Sequence, residues 1–479
     1  MDLDGYRSEV EEFLGALERE YILHLSGRKA TLDIEPIYDR HARLYERSQV
    51  EALRDGGPAE LVRFAAENHI GQATKAEAAE IARLEASLTV ELDGAELPYR
   101  QAAIELANEH DPDRRAAIEE ARLRVMDAEL NPLHVAAHER AATLARELGF
   151  AGTLAMCEEL SGIDLRGLGR QCEAFLHATD DWYADVLAPE LRRELGFGLE
   201  RLRRSDIAAF MRAPTLDWAF PGERLLPAYE LTLAGLGLDG RGVTLDLEER
   251  PNKTPRAFCA APHVPDDVHL VMARIGGRED YEVLMHEAGH AHHYSRVARE
   301  LPVEARYLGD NSVTEGFAFL FQHLVAAPEW LAATLEVDEP RGLIRHARAT
   351  RLLMLRRYCG KLLYELELHA GALDGGAPAR YAERLSEAVG VDWPQASWLT
   401  DVDPFFYAAR YLRAWAFETH LRAVLRERFG ERWFAEREAG ELLRGLWREG
   451  QSRSADEILA DLTGERLELA AVARDLAPG

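Results

Sequence analysis

Apolar side chains recur at the spacing of an amphipathic helix through the first two hundred residues, a stretch rich in Ala, Leu, Glu and Arg. The N-terminal segment shows the pattern with Val10, Phe13, Leu14, Leu17 and Tyr21. Residues three or four apart lie on one face of a helix, so such a segment buries one side against its neighbours. The pattern therefore predicts an all-helical N-terminal lobe.

Two stretches interrupt the helical pattern. Residues 88–92 alternate like a strand and are followed by Asp93 and Gly94, which favours a short hairpin. Further on, three prolines between residues 213 and 227 break any helix. We take this second stretch as a junction, which predicts a helical N-terminal lobe at residues 1–212 and a second lobe at 213–479.

The pattern changes beyond the junction. Residues 243–247 and 268–272 have the composition of strands, and they bracket a loop that contains Lys253, Pro255 and Pro262. A small sheet is therefore expected at about residues 243–275. Helical spacing resumes afterwards and continues to the C-terminus, so the predicted fold class is mainly α.

The charge balance argues against a nucleic-acid partner. The 479 residues include 84 acidic and 57 basic side chains, for a formal net charge of −27. Such a chain repels a phosphate backbone. No apolar run approaches the roughly 20 residues that span a bilayer. The N-terminus is acidic where a signal peptide is basic, so we expect no membrane partner and a cytoplasmic location.

The four cysteines are Cys157, Cys172, Cys259 and Cys359. They lie far apart and form no CxxC pair, which argues against a disulfide framework and against a thiolate zinc site. We expect buried thiols.

The segment at residues 281–295 reads YEVLMHEAGHAHHYS and contains the pattern HExxH. His286 and His290 are four apart, so a helix projects both imidazoles from one face. Catalytic zinc takes three protein ligands and keeps a position for water, whose pKa it lowers. Glu287 can take a proton from that water and pass it to the leaving amine. We therefore predict one zinc ion per chain, with Glu287 as general base.

Chance is a modest alternative explanation of this pattern. With 17 histidines and abundant glutamate, a random HExxH is expected about one time in twenty. The adjacent His292 and His293 face away from the ligand pair by helical geometry. We expect each to be structural or to contact substrate, without a metal role.

The third ligand must come from another segment. Glu315 opens an apolar helical run downstream of the motif and is the candidate. A competing interpretation exists, because Ser312 and Glu315 also fit a capping box, S-x-x-E, which satisfies backbone donors and does no chemistry. A site with two histidines alone would be incomplete, which favours the ligand role.

A peptidase also needs a donor for the oxyanion that forms at the attacked carbonyl, and tyrosine can serve. Tyr407 and Tyr411 lie one helical turn apart in the segment 401–415. Without the zinc motif, two tyrosines on an amphipathic helix would more often be core or interface residues.

Taken together, and in their order along the chain, the HExxH segment, Glu315 and the tyrosine segment resemble the thimet oligopeptidase and oligoendopeptidase F family of zinc peptidases. The helix around Tyr411 also looks like that of the angiotensin-converting enzyme family, whose transition-state tyrosine falls on Tyr411 and makes it the first choice over Tyr407. The resemblance covers about residues 240–425, and its parts are KTPRAFC at 253–259, a strand ending before Gly276, HEAGHAHHYS at 286–295, Glu315 and the tyrosines at 407–411.

The resemblance implies two helical lobes around a deep substrate channel, with a small β-sheet next to the HExxH helix. It also implies that short unfolded peptides are the substrates, added as an extra strand at residues 268–272 or 257–261. Relatives carry a histidine shortly before the catalytic tyrosine. This chain has Asp401, Asp403 and Phe405 there, so one contact to the substrate is missing or replaced.

Three functions compete. The leading one is a zinc-dependent oligopeptidase that cleaves short peptides internally. A metallocarboxypeptidase on the same scaffold is the second, and it needs a basic group or a closed channel end for the substrate carboxylate. The third is a non-catalytic peptide-binding relative, against which the retention of Glu287 beside both histidines argues. The sequence leaves the oligomeric state open.

Overall fold

The computed structural model describes residues 1–371 and 373–478. Helices make up 70% of it, which confirms the mainly α fold class. In chain order the α-helices are α1 Leu3–Leu25, α2 Glu35–Arg40, α3 Arg47–Arg54, α4 Ala59–Ala73, α5 Lys75–Ser87, α6 Tyr99–Asn108, α7 Pro112–Val125, α8 Asn131–Glu147, α9 Thr153–Ser161, α10 Leu165–Leu195, α11 Ile207–Arg212, α12 Leu225–Gly235, α13 Arg278–Tyr294, α14 Asn311–Leu324, α15 Pro328–Leu335, α16 Arg341–Ala370, α17 Ala377–Val389, α18 Tyr407–Phe429, α19 Arg437–Arg448, α20 Ala455–Thr463 and α21 Leu469–Leu476.

The strands are short. They are β1 Thr89–Leu92, β2 Ala95–Pro98, β3 Val243–Asp246, β4 Phe258–His263 and β5 Asp267–Val271. Within the described ranges, no helix is both long and apolar enough to cross a membrane.

The chain forms two compact units, and each draws on separate stretches of sequence. The first contains Met1–Ala65, Pro214–Ile344 and Arg413–Val472. The second contains Ala66–Ala213, Arg345–Leu412 and the residues from Ala473 onward. One boundary, between Ala213 and Pro214, falls at the proline-rich junction. The division into lobes at 1–212 and 213–479 stays a prediction.

In the first unit, a three-stranded sheet has the order β3-β5-β4, with β3 parallel and β4 antiparallel to β5. The strand predicted at residues 268–272 is thus the central one, paired on both sides, so the expectation that it offers an open edge is wrong. The alternative segment, 257–261, lies largely on β4, which is at an edge.

Strand β4 itself is absent from the sequence-based prediction, which placed a loop around Pro262. Alanine and proline have weak strand preference, and proline cannot donate to a sheet ladder. A strand at the edge of a sheet tolerates proline. The register of β4 with β5 shifts between Ala260 and His263. Pairing with β5 therefore forms a strand that the sequence pattern alone does not predict.

The first unit is organised around α14. Its residues Val313, Phe317, Leu320 and Phe321 are fully buried, and the ring of Phe317 meets that of Trp447 edge-on at 6.0 Å. Helix α13 packs directly against α14. The core therefore holds the HExxH helix and the helix bearing Glu315 as one rigid pair.

In the second unit, β1 and β2 form the predicted hairpin, with Leu92 opposite Ala95. The two turn residues have positive φ, 54° at Asp93 and 77° at Gly94, as a two-residue hairpin turn of type I′ requires. One face of the hairpin packs into an apolar cluster of Val90, Leu92, Tyr99, Ala102, Leu106, Ile118, Ala121 and Leu130.

Three of the cysteines, Cys157, Cys172 and Cys359, are buried thiols, as expected. Cys259 differs, because it lies on β4 and is partly exposed.

Candidate metal centre

Helices α13 and α14 bring three predicted ligands together. The Nε2 atoms of His286 and His290 each lie 3.5 Å from Oε2 of Glu315. One ligand atom from each residue lies within 4.8 Å of the other two. Two imidazole nitrogens and one carboxylate oxygen thus face a common point, which is the donor set of a catalytic zinc site with three protein ligands.

A second contact orients each imidazole. Nδ1 of His286 lies 2.9 Å from Oε1 of Gln322, and Nδ1 of His290 lies 2.9 Å from Oγ1 of Thr314. An amide oxygen can only accept, so Nδ1 of His286 donates to Gln322, and Nε2 is the nitrogen that faces Glu315. Partners of this kind fix the tautomer and orientation of metal-binding histidines.

Sequence reasoning missed Gln322 and Thr314. A signal was present, because Gln322 follows Glu315 by two helical turns and thus shares its face of α14. Only the pairing of α13 with α14, however, brings these side chains to the histidines.

Burial and charge act against each other in the cluster. Burial lowers the pKa of His290, but the carboxylates of Glu315 and Glu287 outweigh it and raise the pKa. Burial raises the pKa of Glu315, whereas the charge of His290 and hydrogen bonds from both histidines hold it well below its usual range. The carboxylate is therefore ionised, and a metal ion bound here would compete with protons for the histidines.

The N-terminus of α14 tests the capping-box interpretation of Glu315. The N-cap is Asp310, whose Oδ1 accepts the Ser312 N–H at 3.0 Å. Ser312 lies inside the first turn, so the capping-box interpretation is wrong. The side chain of Glu315 is directed to the histidines instead.

Asp310 is itself anchored. Its Oδ2 accepts hydrogen bonds from Nη2 of Arg413 at 2.7 Å and from the Ala455 N–H at 3.1 Å. Burial raises the pKa of Asp310, but Arg413, the Ala455 N–H and the Ser312 side chain outweigh it and lower the pKa to about 2. A buried ion pair thus secures the helix end that presents Glu315.

His292 and His293 are fully buried. His292 contacts the Tyr229 hydroxyl at 2.8 Å through Nε2 and Arg296 at 2.9 Å through Nδ1. His293 packs edge-on against Phe317, with ring centroids 5.1 Å apart. Both histidines therefore contribute to the core of the first unit. Of the two roles expected for them, this is the structural one.

Glu287 follows His286 on α13 and is partly exposed. Burial first, and then the charges of Glu287 and Glu18, raise the pKa of the Cys259 thiol. Glu287 therefore lies within electrostatic reach of both the metal cluster and the edge strand β4.

Tyr407 and Tyr411 lie in the second unit, at the start of α18, with ring centroids 5.0 Å apart. The ring of Tyr358 meets that of Tyr411 at 5.6 Å. Since the three predicted metal ligands belong to the first unit, the role of these tyrosines as oxyanion donors stays a prediction.

The stretch that leads into α18, which contains Asp401 and Asp403, is ion-paired. Asp401 accepts hydrogen bonds from Arg357 and from the Tyr381 hydroxyl, the latter at 2.8 Å. Asp403 pairs with Lys361 at 2.9 Å. These contacts hold the turn that leads into α18.

No protein-family model and no curated protein matches the sequence. Among solved structures, a similar one is the crystal structure of a provisionally assigned oligoendopeptidase F from Bacillus anthracis strain Ames. The two chains share a fold. The TM-score is 0.62 at 15% sequence identity, and the match covers 98% of this chain and 83% of the oligoendopeptidase F chain. The shared fold extends over nearly the whole chain, including the first two hundred residues.

Proposed function

We propose that this protein is a zinc-dependent oligopeptidase that hydrolyses peptide bonds in short unfolded peptides. The observation that carries the proposal is the convergence of His286 and His290 on Glu315, each Nε2 at 3.5 Å from the carboxylate oxygen. The fold shared with an oligoendopeptidase F supports it. Zinc held by these residues would supply a Lewis acid that polarises the peptide carbonyl and lowers the pKa of a water molecule.

Glu287 is the general base in this proposal. Its carboxylate takes a proton from the attacking water as the new C–O bond forms. It then delivers that proton to the amide nitrogen as the C–N bond breaks. The partial exposure of Glu287 beside His286 is consistent with access to substrate.

The edge strand β4 supports an extended mode of substrate binding. An unpaired edge offers N–H and C=O groups to a peptide, which adds as a further strand. Cys259 of β4 lies within electrostatic reach of Glu287, so a peptide paired there would pass close to the base. Folded proteins cannot pair in this way, because their backbones are already hydrogen-bonded.

For the oxyanion we assign Tyr411, with Tyr407 as the second choice. A phenolic O–H that points to the developing negative charge stabilises the transition state more than the ground state. The ion-paired turn at Asp401 and Asp403 leads into the helix that carries Tyr411.

The test is digestion of a mixed peptide library by the zinc-loaded wild type, by Glu287→Gln and by a matched control, Glu279→Gln. Glu279 is exposed on the same helix. We expect internal cleavage by the wild type and by the control, and loss of cleavage with zinc retained in Glu287→Gln. Stepwise loss of C-terminal residues would instead support a carboxypeptidase. Binding without cleavage would support a non-catalytic relative.

A further inference from the structure

The face of α14 that carries Glu315 also carries an aromatic ring. Phe319 follows Glu315 by four residues, so both side chains project from the same side of the helix. The ring of Phe319 meets the imidazole of His286 edge-on, with ring centroids 5.3 Å apart. Phe319 is partly exposed, although Leu320 and Phe321 beside it are fully buried. An apolar side chain that solvent reaches thus lies next to the candidate metal centre.

Trp415 of α18 extends this apolar surface. Its ring lies nearly parallel to that of Phe319, with an angle of 10° between the ring planes and 4.9 Å between the centroids. Trp415 is also partly exposed, and it belongs to the same compact unit as His286 and Phe319. Two stacked rings form one continuous apolar surface that is wider than either ring alone.

Close packing of α14 against α18 holds the two rings in place. Gly316 lies against Phe417, where a Cβ on the glycine would be 2.4 Å from Cδ1 of the ring. Phe417 also meets Phe317 edge-on at 5.7 Å. Arg413 binds Asp310 at the N-terminus of α14 at 2.7 Å. These contacts fix the distance between the helices, so the aromatic surface is formed before a substrate binds.

Polar side chains limit this surface along α14. Glu315 lies one helical turn before Phe319, and His323 lies one turn after it. Nδ1 of His323 is 4.0 Å from Oε1 of the buried Glu418, and the same oxygen accepts a hydrogen bond from Nε of Arg422 at 2.6 Å. One turn is about 5.4 Å, so the apolar stretch has room for a single side chain.

The contact with His286 indicates which part of a substrate meets the rings. A peptide cleaved at the candidate metal centre has its reacting carbonyl beside this histidine. Successive residues of an extended peptide are only about 3.3 Å apart. A side chain that covers Phe319 therefore belongs to a residue next to the cleaved bond.

We propose that Phe319 and Trp415 form a specificity-determining subsite, which binds an aromatic or large aliphatic side chain of the substrate residue next to the cleaved bond. This inference rests on the proposed function and names the class of peptide that the site prefers. Such a side chain loses contact with water when it packs against the two rings, which favours binding. An aspartate would lose hydration there without gaining a partner.

The experiment uses fluorogenic peptides of one sequence. The two residues that flank the cleaved bond are changed, one at a time, to phenylalanine, leucine, alanine or aspartate. Each peptide is cleaved by the zinc-loaded wild type, by Trp415→Ala, by Trp415→Phe and by Phe429→Ala. Phe429 is partly exposed on the same helix, about 20 Å from Trp415 by helical rise, so its substitution is the matched control.

At one of the two positions, we expect the wild type and Phe429→Ala to show kcat/KM about tenfold or more higher for phenylalanine or leucine than for alanine, as burial of an apolar side chain implies. In Trp415→Ala this ratio should fall to about threefold or less, whereas Trp415→Phe, which keeps a ring, should retain most of it. A merely structural role of Trp415 would lower the cleavage of every peptide alike and leave the ratio unchanged.

An unchanged ratio in Trp415→Ala would overturn the inference and leave the proposed function intact. The same holds if the wild type cleaves the alanine and aspartate peptides as well as the phenylalanine peptide. If the wild type cleaves no peptide, the proposed function fails. Calorimetric Kd values of the same peptides for the zinc-loaded wild type then test the subsite, and equal values for phenylalanine and alanine would overturn the inference too.

Thermal unfolding and zinc content provide the checks on structure. The zinc content of Trp415→Ala should match that of the wild type, because Trp415 contacts Phe319 and is not one of the predicted ligands. If Trp415→Ala is unfolded, Trp415→Gln takes its place with the same expected loss of preference.

Discussion

Gly289 of α13 lies directly against Ala318 of α14, so closely that a Cβ on Gly289 would be 2.5 Å from the Ala318 Cα. The glycine within HEAGH is therefore what lets the two ligand-bearing helices approach. The same contact sets the distance between the histidines and Glu315.

Replacement of Gly289 by alanine should separate the helices. Overpacking of this kind costs about 1–3 kcal/mol of stability, and the displaced ligands should raise the Kd for zinc by about tenfold or more. Gly445→Ala is the control, since Gly445 is exposed on α19 with open space around it, and there alanine should stabilise slightly. Equal zinc affinity in both variants would show that the close approach is unimportant.

The hydroxyl of Thr314 should matter for metal binding although it is not a ligand. Thr314→Val keeps the shape but removes the partner of His290 Nδ1, so zinc affinity should fall about 10–100-fold. Thr314→Ser keeps the hydroxyl and should bind zinc much as the wild type does. Competition with a chromophoric chelator measures the zinc affinity of all three proteins. Similar losses of affinity in the two variants would mean that packing of the side chain, and not its hydroxyl, is what matters.

Asp310 should stabilise the first unit in a pH-dependent way. Its pKa is lowered from 3.8 to about 2 in the fold, a difference equivalent to about 2 kcal/mol. Because a lowered carboxyl pKa stabilises above the unfolded value, this contribution should be complete near pH 6. It should diminish as the pH falls from about 4 toward 2.

Urea unfolding of the wild type and of Asp310→Asn at pH 6 and pH 3 tests this contribution. The difference in unfolding free energy between the two proteins should be larger at pH 6. A constant difference would mean that the ion pair with Arg413 does not explain the effect.

Tyr411→Phe should lower kcat by about 10²–10³-fold while the zinc content stays normal, because an oxyanion donor acts in the transition state. Tyr407→Phe is the matched variant one turn away and should have a smaller effect. Loss of zinc, or an unchanged rate, would mean that Tyr411 is misassigned.

The parts of the site that were predictable from sequence depend on local geometry. His286 and His290 share a face because any helix places residues four apart together. The hairpin at Asp93 and Gly94 was predictable for a similar reason, since its turn demands residues that tolerate positive φ.

The parts that were missed depend on contacts between distant segments. Thr314 and Gln322 acquire their roles only when α14 packs on α13. Strand β4 exists because β5 pairs with it, despite Pro262.

The most direct test of the account is anomalous diffraction at the zinc edge from a crystal of the zinc-loaded protein. We expect one peak at about 2.0–2.2 Å from Nε2 of His286, Nε2 of His290 and a carboxylate oxygen of Glu315. A crystal with no peak among these three residues, or with zinc held by other side chains, would contradict the central claim.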